Sequence, residues 1–140
     1  GQPTVVLDVA HNPHAVATLV QNLDNMPFHP RTRAVFGAMK DKDIEAILRR
    51  MAPVVDDWFF CDLPVPRAAS AAELEAQHAA LALKGPGPVR VFRHADPRSA
   101  LIAALSASDP ADRIVVFGSF YTVGGVLKDG LPRLNAKHLA

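Results

Sequence analysis

An acid and an imidazole lie three residues apart in Leu7-Asp8-Val9-Ala10-His11-Asn12-Pro13-His14, directly after the short apolar run Thr4-Val5-Val6. Asn12 is placed to cap a helix and Pro13 suits its first position. Asp8 and His11 therefore occupy the turn where a buried strand gives way to a helix. In α/β sheets ligands bind at that carboxyl end, because polar side chains and free helix N–H groups converge there. Two further stretches have the same character: Gly37-Ala38-Met39-Lys40-Asp41-Lys42-Asp43 and Gly118-Ser119-Phe120-Tyr121-Thr122. Brought to one edge, the three would gather a carboxylate, an imidazole, two ammonium groups and hydroxyls around helix N-termini, an arrangement suited to a polyanionic ligand.

Each of these residues also has a purely structural reading. Asp8 can bond the backbone of its own turn. His11 can be an accessory to the Asn12 cap. Lys40 to Asp43 can be a solvated first turn, with Asp41 or Asp43 as its cap, and Ser119 can cap the helix that follows it. Metal chemistry finds little support, since Asp8-x-x-His11 offers two ligands and no third has an evident position. The chain holds neither a Gly-x-x-x-x-Gly-Lys-Ser/Thr loop nor a Gly-x-Gly-x-x-Gly fingerprint. Ser119 lacks a nucleophile-elbow sequence, and Ala10 stands where an aspartyl phosphatase would carry its second acid.

Positioning such a site requires a sheet. Apolar runs at Val5 to Asp8, Arg33 to Phe36, Trp58 to Cys61, Val89 to Phe92 and Arg113 to Phe117 read as strands covered on both faces. Helical patterns separate them. Val16, Leu19, Val20 and Leu23 share one face after Pro13, and Ile44, Ile47, Leu48 and Met51 repeat that spacing. Ser70-Ala71-Ala72-Glu73 is a capping box opening an alanine-rich helix that runs toward Lys84-Gly85. Asp96-Pro97 opens a fourth helix, and Gly118-Ser119 a fifth in which Gly124-Gly125 implies close packing. Strand and helix alternate throughout, so the expected class is α/β: a mostly parallel sheet with helices on both faces.

The 140 residues are 49% hydrophobic with a formal net charge of +1, enough for one domain with its own core. That balance argues against nucleic acid as a partner, and no apolar stretch is long enough to span a bilayer. A lone Cys61 fits a reducing cytoplasm. The chain begins Gly1-Gln2-Pro3 and its first methionine is Met26, so it reads as a piece of a longer protein trimmed near a domain boundary.

The three turns together resemble a known family. Leu7 to His14 is similar to the Asp-x-Ala-His-Asn-Pro signature of folylpolyglutamate synthases. Gly37 to Ile44 resembles their second loop, and Val116 to Gly124 their last strand and helix. Asp56-Asp57-Trp58 and Pro66-Arg67-Ala68-Ala69 resemble the bacterial bifunctional branch, dihydrofolate synthase/folylpolyglutamate synthase. That family belongs to the Mur ligase superfamily, and the resemblance implies its Rossmann-like C-terminal domain alone, with a sheet of about five to six strands, mostly parallel or mixed. It implies residues 1–140 as a single such domain, partnered by an N-terminal ATPase domain that holds the phosphate loop and the Mg2+ ligands.

The activity implied is ATP-dependent addition of L-glutamate to dihydropteroate or to a folate, through an acyl phosphate, in the cytoplasm. Asp8 would meet the ATP ribose. His11 and Ser119 would hold the incoming glutamate, and Lys42 or Lys40 would anchor one of its carboxylates. The isolated chain would be inactive. Two other readings remain open on the residues alone: a stand-alone flavodoxin-like module binding a nucleotide or anion, and a small hydrolase using Asp8 or Ser119.

Overall fold

Residues 1–128 are described by the computed structural model, and they form a five-stranded sheet flanked by five helices. The strands are β1 (Thr4–Leu7), β2 (Thr32–Phe36), β3 (Asp57–Cys61), β4 (Arg90–His94) and β5 (Arg113–Phe117). The helices are α1 (Pro13–Asp24), α2 (Ile44–Met51), α3 (Ala71–Leu81), α4 (Pro97–Ala107) and α5 (Phe120–Leu127), with one 3-10 turn at Ala52–Val54. The spatial order is β1-β5-β2-β3-β4 and every pairing is parallel. No antiparallel strand occurs among the described residues; the reversed contact there is a single bridge between Met39 and Ala68.

Side chains alternate across the sheet with period two, and this divides the interior into two cores. Ala34, Phe36, Trp58, Phe60, Val115 and Phe117 face α1, α2 and α3. Val35, Phe59, Cys61, Ile114 and Val116 face α4 and α5. The larger core is aromatic: the Phe36 ring lies 4.7 Å from Phe117 and 6.1 Å, edge on, from Trp58. Each large side chain sealed there contributes about 1.5–3 kcal/mol. Gly125 is where α5 meets α4, since a Cβ there would stand 2.7 Å from the Pro97 ring, whereas Gly124 faces open space.

Two expectations need adjustment. β4 is not fully covered on both faces; it is the edge strand, and although α3 and α4 both reach it, Arg90, Phe92 and Arg93 are exposed. Helix α3 ends at Leu81, short of Lys84-Gly85, where Ala82 turns left-handed (φ 49°). Its start is the capping box read from the sequence, with Ser70 and Glu73 bonding each other's backbone N–H groups.

At the amino ends of the strands lies a buried ionic cluster. Arg33 is 3% exposed, with Nε 3.0 Å from Asp57 Oδ2 and Nη1 2.8 Å from Asp112 Oδ2. Asp57 also receives a forked pair of hydrogen bonds from Arg90. Arg113 donates to Thr32 Oγ1 and to the Leu23 carbonyl, and the Thr32 N–H donates to Asp56. These bonds fasten β2, β3, β4, β5 and the end of α1 into one base.

At the opposite rim the turns approach until only glycine fits. Gly118 has φ +115°, and a Cβ on it would lie 2.2 Å from the Gly37 carbonyl oxygen. Its N–H donates to the Ala10 carbonyl, and Thr122 Oγ1 donates to the Gly37 carbonyl at 2.8 Å. The turn after β5 is thereby joined to those after β1 and β2.

Removing Arg33 leaves the buried Asp112 without its counter-charge and Asp57 with Arg90 alone, so Arg33→Met is expected to lower unfolding stability by about 3–5 kcal/mol in urea titrations. The exposed Arg31, 4.0 Å from Asp56, should cost under about 1 kcal/mol as alanine. Gly118→Ala combines a disfavoured φ with a backbone clash and should cost about 3 kcal/mol or more by the same measurement. Burial beside Trp58 holds the His78 imidazole below its usual range. Its charged form is therefore better tolerated in the unfolded chain, and stability should fall as pH drops through about 6.5. His78→Leu should shrink the difference in urea midpoint between pH 7.5 and pH 5.5; an unchanged difference would show that His78 does not set it.

Candidate functional site

All five strands point the same way, so their carboxyl ends share one edge. The helices after β1 and β2 pack on one face, whereas α5, after the intervening β5, packs on the other. A crevice opens where neighbouring connections diverge in this manner. Within it is a pocket of about 180 Å³ whose polar lining is His11, Lys42, Arg67 and Ser119, with Met39, Phe120 and Tyr121 as apolar walls. Phe120 and Tyr121 are 69% and 48% exposed, leaving an aromatic lip on the solvent side.

His11 follows β1 just ahead of the Asn12 cap of α1. Its Nδ1 lies 2.9 Å from the Val9 carbonyl. A carbonyl only accepts, so Nδ1 carries the hydrogen and Nε2 is the nitrogen left to accept from a ligand. The ring stands beside Phe120, with centroids 6.3 Å apart. Asp8 is half-buried in the same turn; its backbone N–H continues the ladder to Val116 O, and Oδ1 accepts from the Ala10 N–H at 2.8 Å. Oδ2 has no partner among the described residues, so Asp8 shapes its turn and keeps one oxygen for a donor. It does not line the pocket that holds His11.

Ser119 is 5% exposed and caps α5, accepting from the Thr122 N–H at 3.0 Å. Its Oγ also lies 2.8 Å from Thr122 Oγ1. Since the threonine gives its proton to Gly37 O, the serine must donate to the threonine. The serine proton is thus committed inward, and no base stands behind it among the described residues, which argues against a hydrolytic nucleophile. One lone pair remains for a ligand.

The lysines part company. Lys42 lines the pocket, whereas Lys40 is exposed on the other side of its loop with Nζ 3.8 Å from Glu73. Asp43, not Asp41, caps α2, bonding the Ala46 N–H. Cys61 is buried and unreactive, its thiol raised far above the ordinary range chiefly by burial, with Asp62 and Asp96 adding to it. Among the described residues, no group of three His, Cys, Asp or Glu side chains is placed to hold a metal ion. No described helix is long and apolar enough to cross a membrane.

Arg67 was not singled out as a site residue from the sequence. It reaches the pocket because the connection after β3 folds beside the loop after β2: the Lys40 N–H donates to Arg67 O at 2.8 Å, and the Ala69 N–H to Ala38 O at 2.9 Å. The available signal was positional. The loop after the third strand lies on the same edge as the others, and it carries an arginine.

Residues 1–120 match the family described as Mur ligase, glutamate ligase domain. The chain is 36% identical over 126 residues to the dihydrofolate synthase/folylpolyglutamate synthase of Escherichia coli, covering 90% of this chain and 28% of that protein. Among solved structures, E. coli FolC in complex with DHPP and ADP superposes with a TM-score of 0.76 at 35% identity, covering 89% of this chain and 28% of that one. A bifunctional folylpolyglutamate synthase/dihydrofolate synthase with Mn, AMPPNP and L-glutamate bound gives 0.76 at 36% identity, over 91% of this chain and 29% of that one. This chain spans little more than a quarter of the length of these relatives. The parallel α/β sheet, the pocket at its switch point and the match through residues 1–120 lead to one conclusion: the chain belongs to the Mur ligase, glutamate ligase domain family.

Proposed function

We propose that this chain is the C-terminal lid of an ATP-dependent ligase that adds L-glutamate to dihydropteroate, to folates, or to both. The observation that carries the reading is the meeting of His11, Lys42 and Ser119 in one small pocket, on a chain whose relatives include an enzyme with L-glutamate bound. The rest of the polypeptide would supply the phosphate-binding ATPase domain. There the γ-phosphoryl group of ATP passes to a carboxylate of the folate precursor, and ADP leaves. The amine of glutamate then attacks the acyl carbon, phosphate departs, and the nitrogen loses its proton as the amide forms.

This domain contributes position. Asp8 Oδ2 accepts from a ribose hydroxyl as the lid closes, which couples closure to the nucleotide. His11 Nε2 accepts from the glutamate amine and so holds its lone pair toward the acyl carbon. Ser119 Oγ offers its remaining lone pair to the same amine. Lys42 anchors a carboxylate; Lys40, already beside Glu73, is the weaker candidate. Holding the nucleophile in place is worth several kcal/mol of barrier, and closure keeps water from the acyl phosphate. Mg2+ would accompany ATP in the whole enzyme, and the described residues offer it no ligand set. The cytoplasm, where ATP is made available, is the compartment this reading assigns.

Three outcomes check the proposal, each read as ATP-dependent incorporation of labelled L-glutamate. The 140-residue chain alone should incorporate none. In the full-length enzyme His11→Ala should lower kcat by about 100-fold. Asp8→Ala should raise KM for ATP by about 10- to 100-fold with a smaller effect on KM for glutamate. Wild-type rates in both variants would remove these residues from the site.

A further inference from the structure

A serine hydroxyl has one proton to give and two lone pairs to offer. One lone pair of Ser119 Oγ takes the Thr122 N–H at 3.0 Å. Its proton goes to Thr122 Oγ1, 2.8 Å away, because that hydroxyl spends its own proton on the Gly37 carbonyl, also at 2.8 Å. A carbonyl cannot donate, so the chain of bonds runs in one sense only, from Ser119 through Thr122 to Gly37. Thr122 is fully buried, and solvent does not compete for these protons. A Cβ on Gly37 would stand 3.1 Å from Thr122 Oγ1, so the hydroxyl rests against bare backbone that fixes where it lies. Ser119 therefore meets the pocket as an acceptor alone, and the residue that makes it so does not line the pocket.

We propose that Thr122 is a positioning residue: by holding the Ser119 proton inward, it turns the remaining serine lone pair toward the amine of the incoming amino acid. This rests on the ligase reading and adds to it the group that sets the sense of the serine's hydrogen bond. A neutral amine carries two hydrogens and one lone pair. Two acceptors, His11 Nε2 and Ser119 Oγ, take both hydrogens and leave the lone pair to the acyl carbon. Without the Thr122 hydroxyl, the serine O–H is free to rotate and to point its proton into the pocket. It then donates to the nitrogen lone pair, the one that must attack, and the amine becomes a poorer nucleophile. Bonds in a buried chain are strengthened by the low dielectric and polarise one another, so loss of the middle member is felt at its end. The Thr122 N–H bond to the same Oγ survives that loss and keeps the serine oxygen in place, which leaves the direction of its proton as the property at stake.

The test uses the full-length enzyme and initial rates of labelled L-glutamate incorporation. Thr122→Ala and Thr122→Val both remove the hydroxyl, and each should lower kcat by about 10-fold or more, with KM for ATP changed by less than about twofold. Thr122→Ser keeps the hydroxyl and should stay within about threefold of the unaltered rate. In a Ser119→Ala enzyme the same Thr122→Ala and Thr122→Val changes should cost less than about twofold further, because their effect passes through the serine. Thermal unfolding of each variant confirms folding, and the alanine serves where a valine methyl crowds the Gly37 carbonyl. Three results overturn the assignment and leave the ligase reading standing: a Thr122→Ala rate within about twofold of wild type, an equal fall in Thr122→Ser, or an undiminished further fall on top of Ser119→Ala. A wild-type enzyme that adds no glutamate overturns both.

Discussion

A single peptide at Gly118 holds the mouth of this domain together. It passes so near the Gly37 carbonyl that no side chain could stand between them, and its N–H is given to Ala10. Thr122 completes the arrangement from one helical turn farther on, reaching back to Gly37 while taking the proton of Ser119. The connections after β1, β2 and β5 are therefore bonded to one another and not merely adjacent. A pocket built on four loops would ordinarily be soft, yet three of them are tied together by these bonds and the fourth, after β3, is bonded to the loop after β2. His11, Lys42 and Ser119 inherit their positions from those backbone bonds.

Much of this arrangement is local and therefore legible in a sequence. Asn12, Ser70, Asp96 and Ser119 each announce a helix start by residue type, and each forms the side-chain cap it suggests. The runs around Val35, Phe59 and Val115 declare themselves as buried strands, since β-branched and aromatic residues fill a surface packed from both sides. The placement of His11 and Ser119 on one rim follows from parallel strands and needs little else. Lys42 could be separated from Lys40 only once Glu73, on another helix, was in place.

What could not be read depends on partners distant in the chain. The sequence places Arg33 at the start of a strand covered on both faces but carries no sign of its partners, Asp57 and Asp112, the latter 79 residues away. Arg67 enters the pocket because its loop pairs with the turn after β2, a contact with no signature in either segment alone. Strand order has the same character. β5 is inserted between β1 and β2, and only the completed sheet explains why its five residues are all buried.

The buried ion pairs of this fold and the cations of its pocket lie at opposite poles. At the base, Arg33, Asp57, Asp112 and Arg90 answer one another; at the mouth, Lys42 and Arg67 find no answering acid among the described residues. Five-residue strands put about 15 Å between the poles, beyond the distance at which substitutions usually interfere. Anchorage and recognition are thus separate inheritances. The side chains lining the pocket can be exchanged over evolutionary time, remodelling what the mouth of the sheet presents, while the ionic keel beneath the sheet keeps the vessel upright.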